Sequence, residues 1–270
     1  MHNSINDLFA GLWADYVAIT PSAARIHALL QQHDNSNEII NDHIALRTFK
    51  LPGLAVADLA VHFTQLGYVQ SGEYDFNSKK LNAWHFQHPD PTQPKVFISE
   101  LRVDELSTAA QVIIQKMLAQ MDMTVVAADD FLYSGTHWQV SEDDYRTLLS
   151  ESEYAAWLAA WGFRANHFTV SINHLHSIHE LTDVNALLKE NGFVLNTSGG
   201  EIKGSADVCL AQSSTMADSM PVVFSDTTVA IPSCFYEFAQ RYAMADGELY
   251  QGFVAASADK IFESTNVNSR

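Results

Sequence analysis

Basic residues are scarce in this chain. Its 270 residues hold 15 Lys and Arg against 32 Asp and Glu, a formal net charge of −17. Nucleic acid and anionic membranes both need a basic face on their partner, so neither is expected to bind here. A small anionic substrate is not excluded, because one buried Arg outweighs a distant negative surface. Cysteine is scarcer still, with Cys209 and Cys234 the only two. They cannot build a zinc ribbon or an iron–sulfur cluster, and they read as free thiols in a reducing compartment. No run approaches the roughly 20 apolar residues of a membrane-spanning helix. The opening residues Met1 to Asp7 lack the basic and apolar regions of a secretory signal, which points to the cytosol. There is no Gly-x-Ser-x-Gly elbow to support a serine hydrolase. The glycine-containing loop 199–204 lacks the Gly-Lys-Ser/Thr ending of a P-loop, and reads either as a flap or as a plain hairpin loop.

What is present is a globular composition, 47% hydrophobic and 17% charged. The pattern predicts an α+β fold in one compact domain over 1–270. N-terminal helices fill 1–40, a first module 41–160 and a second 161–260. Two helices are expected within 4–33, a strand at 43–49 and a helix at 55–66 closed by Gly67. Strands follow at Tyr68–Asp75, Leu81–Gln87 and Lys95–Arg102. Helices are expected at 104–122 and 142–161, and Phe131–Val140 has no clear pattern. The first order then recurs: strand 167–173, helix 177–190, a strand entered at Gly192–Leu195, and strands near 206–211, 221–225 and 233–239. Strand-helix-strand-strand-strand thus appears twice, starting near His43 and near His167.

Three polar residues sit inside apolar strand-like runs: His43, His167 and Glu237. A buried polar residue is costly unless something binds it. Two imidazoles and a carboxylate are the usual ligands of a mononuclear non-haem Fe(II) centre with open positions. Each residue alone has a plainer reading: His167 as a core histidine bonded to a carbonyl, Glu237 in a salt bridge to Arg241. Arg47, an even four residues after His43, faces the same side on the order of 13 Å along the strand. It suits a substrate carboxylate or a structural ion pair. His85 and His88 fall on opposite faces and do not ligate together. His176 and His179, near His174, are a weaker second metal candidate on one helical face.

The phrases Asn41-Asp42-His43-Ile44-Ala45-Leu46-Arg47-Thr48-Phe49, Pro94-Lys95-Val96-Phe97-Ile98-Ser99-Glu100-Leu101 and Ala165-Asn166-His167-Phe168-Thr169 resemble the DUF1338 family. Its members are regarded as 2-oxoadipate dioxygenase/decarboxylases, or hydroxyglutarate synthases. The resemblance covers about residues 4–260, and the chain is short for that family. It implies a vicinal oxygen chelate-like fold, with two βαβββ modules forming a curved half-barrel of mixed sheet plus added helices. It implies Fe(II) held by His43, His167 and Glu237, and Arg47 on the substrate. It also implies conversion of 2-oxoadipate and O₂ to 2-hydroxyglutarate and CO₂. Two alternatives stay open: a glyoxalase-type lyase or isomerase using the ion as a Lewis acid, and a non-enzymatic small-ligand-binding module of the same fold. The oligomeric state is not expected from the sequence.

Overall fold

Ser4 ends an extended N-terminus and caps the first helix, α1 (Ile5–Ile19), by accepting from the Asp7 N–H. Leu8, Leu12 and Tyr16 form its buried stripe. Pro21 opens α2 (Pro21–Asp34), where its missing N–H costs nothing. The computed structural model describes residues 2–36 and 38–265. Met1, Asn37 and residues 266–270, and the readings that touch them, lie outside that range.

The first half continues with β1 (Asn41–Phe49), α3 (Val56–Thr64), β2 (Val69–Phe76), β3 (Leu81–Gln87) and β4 (Lys95–Leu101). Helices α4 (Thr108–Leu118), α5 (Glu142–Glu151) and α6 (Glu153–Trp161) lead to the second half. There β5 (Ala165–Ser171), α7 (Leu181–Glu190), β6 (Lys203–Ser205) and β7 (Leu210–Ser214) repeat the first order. A hairpin, β8 (Ser219–Val223) and β9 (Thr228–Pro232), precedes β10 (Phe235–Arg241). The chain closes on α8 (Ala255–Ile261) and the 3-10 turn Phe262–Thr265.

Eight strands form one curled half-barrel sheet, in the order β2-β3-β4-β1-β5-β10-β7-β6. In each half the first strand lies parallel to the last, β1 beside β4 and β5 beside β10. The halves meet in an antiparallel seam, with His43 opposite Thr169 and Ala45 opposite His167. The central strands β4, β1, β5, β10 and β7 are buried along nearly their whole length, whereas the edge strand β2 is largely exposed. The outer face packs under α1 and α2. There the Trp13 ring meets Phe168 edge-on at 5.0 Å, and the Tyr16 hydroxyl donates to the Phe235 carbonyl at 2.5 Å. Alternation then turns His43, Arg47, His167 and Glu237 to the inner face.

The structure moves several expected boundaries. The strand near 206–211 is two short strands, separated by a 3-10 turn and by Cys209 at φ 60. Gly192–Leu195 is not a strand, and Leu195 makes only a bridge to Thr215. The strand near 221–225 belongs to β8, in a separate two-stranded sheet. The helix over 142–161 breaks at Ser152, which leaves helical geometry at φ −146 and caps α6 with its hydroxyl. The 104–122 helix is confined to α4, and the 177–190 helix starts at Leu181. Phe131–Tyr133 is a 3-10 turn.

Candidate metal centre

Three neighbouring strands present one side chain each to the inner face: His43 from β1, His167 from β5, Glu237 from β10. All three are buried, and their donor atoms lie within 4.8 Å of one another. Glu237 Oε2 is 3.2 Å from His167 Nε2, and Oε1 is 3.5 Å from His43 Nε2. Each ring is held from behind. His43 Nδ1 meets Asp42 Oδ1 at 2.7 Å, and His167 Nδ1 meets Asn166 Oδ1 at 3.2 Å. Both acceptors place the ring proton on Nδ1 and leave the Nε2 lone pairs on the Glu237 side, where that of His43 also takes the Thr169 hydroxyl at 3.1 Å. Gln212 Nε2 donates to Glu237 Oε1, while Oε2 has no hydrogen-bond partner.

Burial pushes Glu237 up to about 8. It lowers His43, despite Asp42, and drives His167 well below the usual histidine range, with His43 and Arg47 adding to the effect. A bare site of this kind holds a protonated acid beside two neutral imidazoles. A divalent cation reverses that cost by taking the orphaned carboxylate oxygen and both lone pairs. The residues therefore fit a metal ion. Among the described residues no other three His, Cys, Asp or Glu side chains converge in this way.

Asp42 is itself gripped. Arg241 donates to it twice, Nε to Oδ2 at 2.6 Å and Nη2 to Oδ1 at 2.8 Å. Burial raises Asp42, but Arg241 and His43 overcome this and hold it well below the usual carboxylate range. Arg241 also donates Nη1 to the carbonyls of Tyr250 and Gly252 at 2.8 Å each. The salt bridge weighed between Glu237 and Arg241 is thus replaced by one to Asp42.

Arg47 lies buried on the inner face. Its guanidinium carbon sits over the rings of Tyr154 and Trp157, at 4.8 and 4.9 Å. Nη1 pairs with Glu153 Oε1 at 3.1 Å and Nη2 donates to Thr265 Oγ1 at 3.2 Å, while Nε has no partner. His85 faces the same interior but bonds Tyr74 and Gln87, and burial draws it down to about 4. The 174–179 cluster does not assemble: His174 bonds Ser171, and His176 pairs with Asp34.

Over the triad lies a cavity of about 20 Å³, walled by Phe97, Phe253, Ile261 and Phe262 among others. It has room for roughly one water molecule. Phe262 also lines an outer cleft of about 270 Å³ that Lys79, Glu151 and Glu153 rim. Phe262 is thus common to the walls of the cleft and of the cavity over the triad.

Sequence reasoning missed the groups behind the three candidate ligands. The signal was there as a repeat, because each histidine follows a polar residue, Asp42-His43 and Asn166-His167. Gln212, Phe253 and Glu153 carry no such mark.

The profile of the 2-oxoadipate dioxygenase/decarboxylase family matches residues 14–250. A rice (Oryza sativa subsp. japonica) chloroplastic/amyloplastic 2-oxoadipate dioxygenase/decarboxylase is 38% identical over 276 residues, 93% of this chain and 76% of the relative. The solved structure of hydroxyglutarate synthase from Oryza sativa in complex with 2-oxoadipate superposes with a TM-score of 0.92 at 36% identity, covering 97% of this chain and 92% of that one. A structure from Shewanella frigidimarina NCIMB 400, assigned as a hydrolase, superposes at 0.91 with 59% identity and covers 95% and 100%.

Proposed function

This chain belongs to the 2-oxoadipate dioxygenase/decarboxylase family, and from that membership we propose that it converts 2-oxoadipate and O₂ to 2-hydroxyglutarate and CO₂ at an Fe(II) centre held by His43, His167 and Glu237. The observation that carries the reading is the buried triad, with both Nδ1 atoms tied back and Glu237 Oε2 left without a partner. Three protein ligands on one side leave open positions on the other. Fe(II), when bound, supplies the redox chemistry that activates O₂ and a chelation point for a 2-oxo acid.

The rest of the work falls to the chain. Asp42, locked by Arg241, fixes the orientation of His43, and Asn166 does the same for His167. Gln212 holds one oxygen of Glu237 and leaves the other for the ion. Phe97, Phe253 and Phe262 keep the reacting centre dry. Arg47 receives a substrate carboxylate through its unpartnered Nε, its charge already steadied by Glu153. The hydrolase assignment of the Shewanella relative has less to work with: Cys234 is buried against the Ala165 carbonyl, and burial pushes its thiol up to about 12.

The test is oxygen uptake by protein reconstituted anaerobically with Fe(II) and then given 2-oxoadipate in air. Uptake matched by CO₂ and 2-hydroxyglutarate is expected. No uptake by protein carrying a stoichiometric ion would move the reading to non-redox metal chemistry. In the same assay His167→Ala is expected to lose iron and activity while keeping the fold. Unchanged iron in that variant would remove His167 from the ligand set.

A further inference from the structure

Lys203 opens β6 and is 3% exposed. It pairs with Gln212, and Gln212 pairs in turn with Ala239, two residues from Glu237. Directly opposed residues share a face, so Lys203 points into the same interior as the triad. Its Nζ donates to the Asn196 carbonyl at 2.5 Å and reaches the Glu201 carbonyl only at 3.5 Å. Among the described residues no carboxylate is in ion-pair contact with it. Arg47 differs, because Glu153 balances its charge. Its direct partners are carbonyls alone, with Glu237 and Glu201 acting on the charge only from a distance, and a buried ammonium so placed is a standing cost to the fold.

The same polar chain links Lys203 to Arg47 through the C-terminal turn. Asn196 Nδ2 donates to Ser264 Oγ at 2.9 Å and to the Lys260 carbonyl at 3.2 Å. Thr265, the next residue, takes the bond from Arg47. Two buried cations thus flank a hydroxyl-bearing turn beside the metal ligands. A cavity of about 20 Å³ is far below the roughly 300 Å³ at which small-molecule pockets begin. Substrate must therefore displace part of the 253–262 stretch that walls the cavity, the stretch whose Lys260 carbonyl Asn196 bonds.

We infer that Lys203 recognises the second carboxylate of the substrate, the one not held at the metal, and makes the site selective for 2-oxo diacids over 2-oxo monoacids. The inference rests on the 2-oxo acid reading above. Burial lowers the ammonium to about 8, so it carries its charge through most of the neutral range.

The experiment compares 2-oxoadipate with 2-oxohexanoate, which has the same six carbons without the second carboxylate, on the Fe(II)-loaded enzyme. Wild type is expected to favour the diacid by at least about tenfold in kcat/KM. Lys203→Met should erase that preference through the diacid KM, leaving the monoacid within about twofold, and Lys203→Arg should restore part of it. A preference unchanged in Lys203→Met would overturn the assignment, since a merely structural lysine would depress both acids alike. If Lys203→Met fails to fold, Lys203→Gln takes its place. Wild type with no preference overturns the assignment without any variant. Absence of turnover with either acid is a different result, one that sinks the 2-oxo acid reading and this assignment with it.

Discussion

Glu237 sets how the centre responds to pH. Its carboxyl is raised to about 8 from an ordinary 4.5, while the two histidines are lowered. Between pH 4.5 and 8 the folded metal-free chain keeps a proton that the unfolded chain has released. Glu237's share of metal-free stability therefore falls as pH rises through that window. The two lowered histidines pull the other way, strongly below about pH 6.5 and only weakly above it, so from pH 6.5 to 8 the Glu237 effect dominates. A metal ion must displace the Glu237 proton, so its affinity should rise from pH 6.5 to about 8 and then level off. Melting temperatures of metal-free protein at pH 6.5 and 8, with metal titrations alongside, check both signs. A metal affinity flat over that range would contradict a protonated Glu237. The convergence of His43, His167 and Glu237 was legible in the sequence because each is a polar residue inside an apolar strand. Arg47's surroundings were not, because Glu153 and Thr265 lie 106 and 218 residues away and only the fold brings them close.

Elements were legible where local rules agree with the fold. The pair Thr20-Pro21 marks the start of α2, and β3 falls where alternation put it. The second half was harder to read. Its β6 is three residues long, and the β8–β9 hairpin is an insertion with an ordinary strand pattern. Nothing local says that such a hairpin leaves the main sheet. Helix α6 shows how an element can position a ligand at a distance. Trp157 and Trp161 donate their indole N–H to the carbonyls of Ser233 and Pro232 at 2.7 and 2.8 Å, fixing the chain as it enters β10. Trp157→Phe leaves the buried Ser233 carbonyl without that donor. The expected loss is at least about 1 kcal/mol of stability, with the metal still bound. A urea midpoint at wild-type value would show that another group, or solvent, satisfies that carbonyl.

At the scale of the whole molecule the proposed ligand set belongs to neither half alone. His43 comes from the first half, His167 and Glu237 from the second, and the β1–β5 seam runs between them. Loading with metal should therefore slow amide hydrogen exchange along that seam more than in the distant β2–β3 pair. Equal slowing everywhere would argue against an ion bridging the halves. The register has one more consequence. A twofold axis through the seam exchanges His43 with His167, since His43 faces Thr169 just as His167 faces Ala45. It also exchanges the neighbours of Thr169 and Ala45 on the flanking strands, which are Glu237 and Phe97. The duplicated fold thus offers four symmetry-related places around the centre, and an aromatic ring that cannot donate occupies the fourth. It is this broken symmetry that leaves the fourth place without a protein donor, open for whatever the centre takes up.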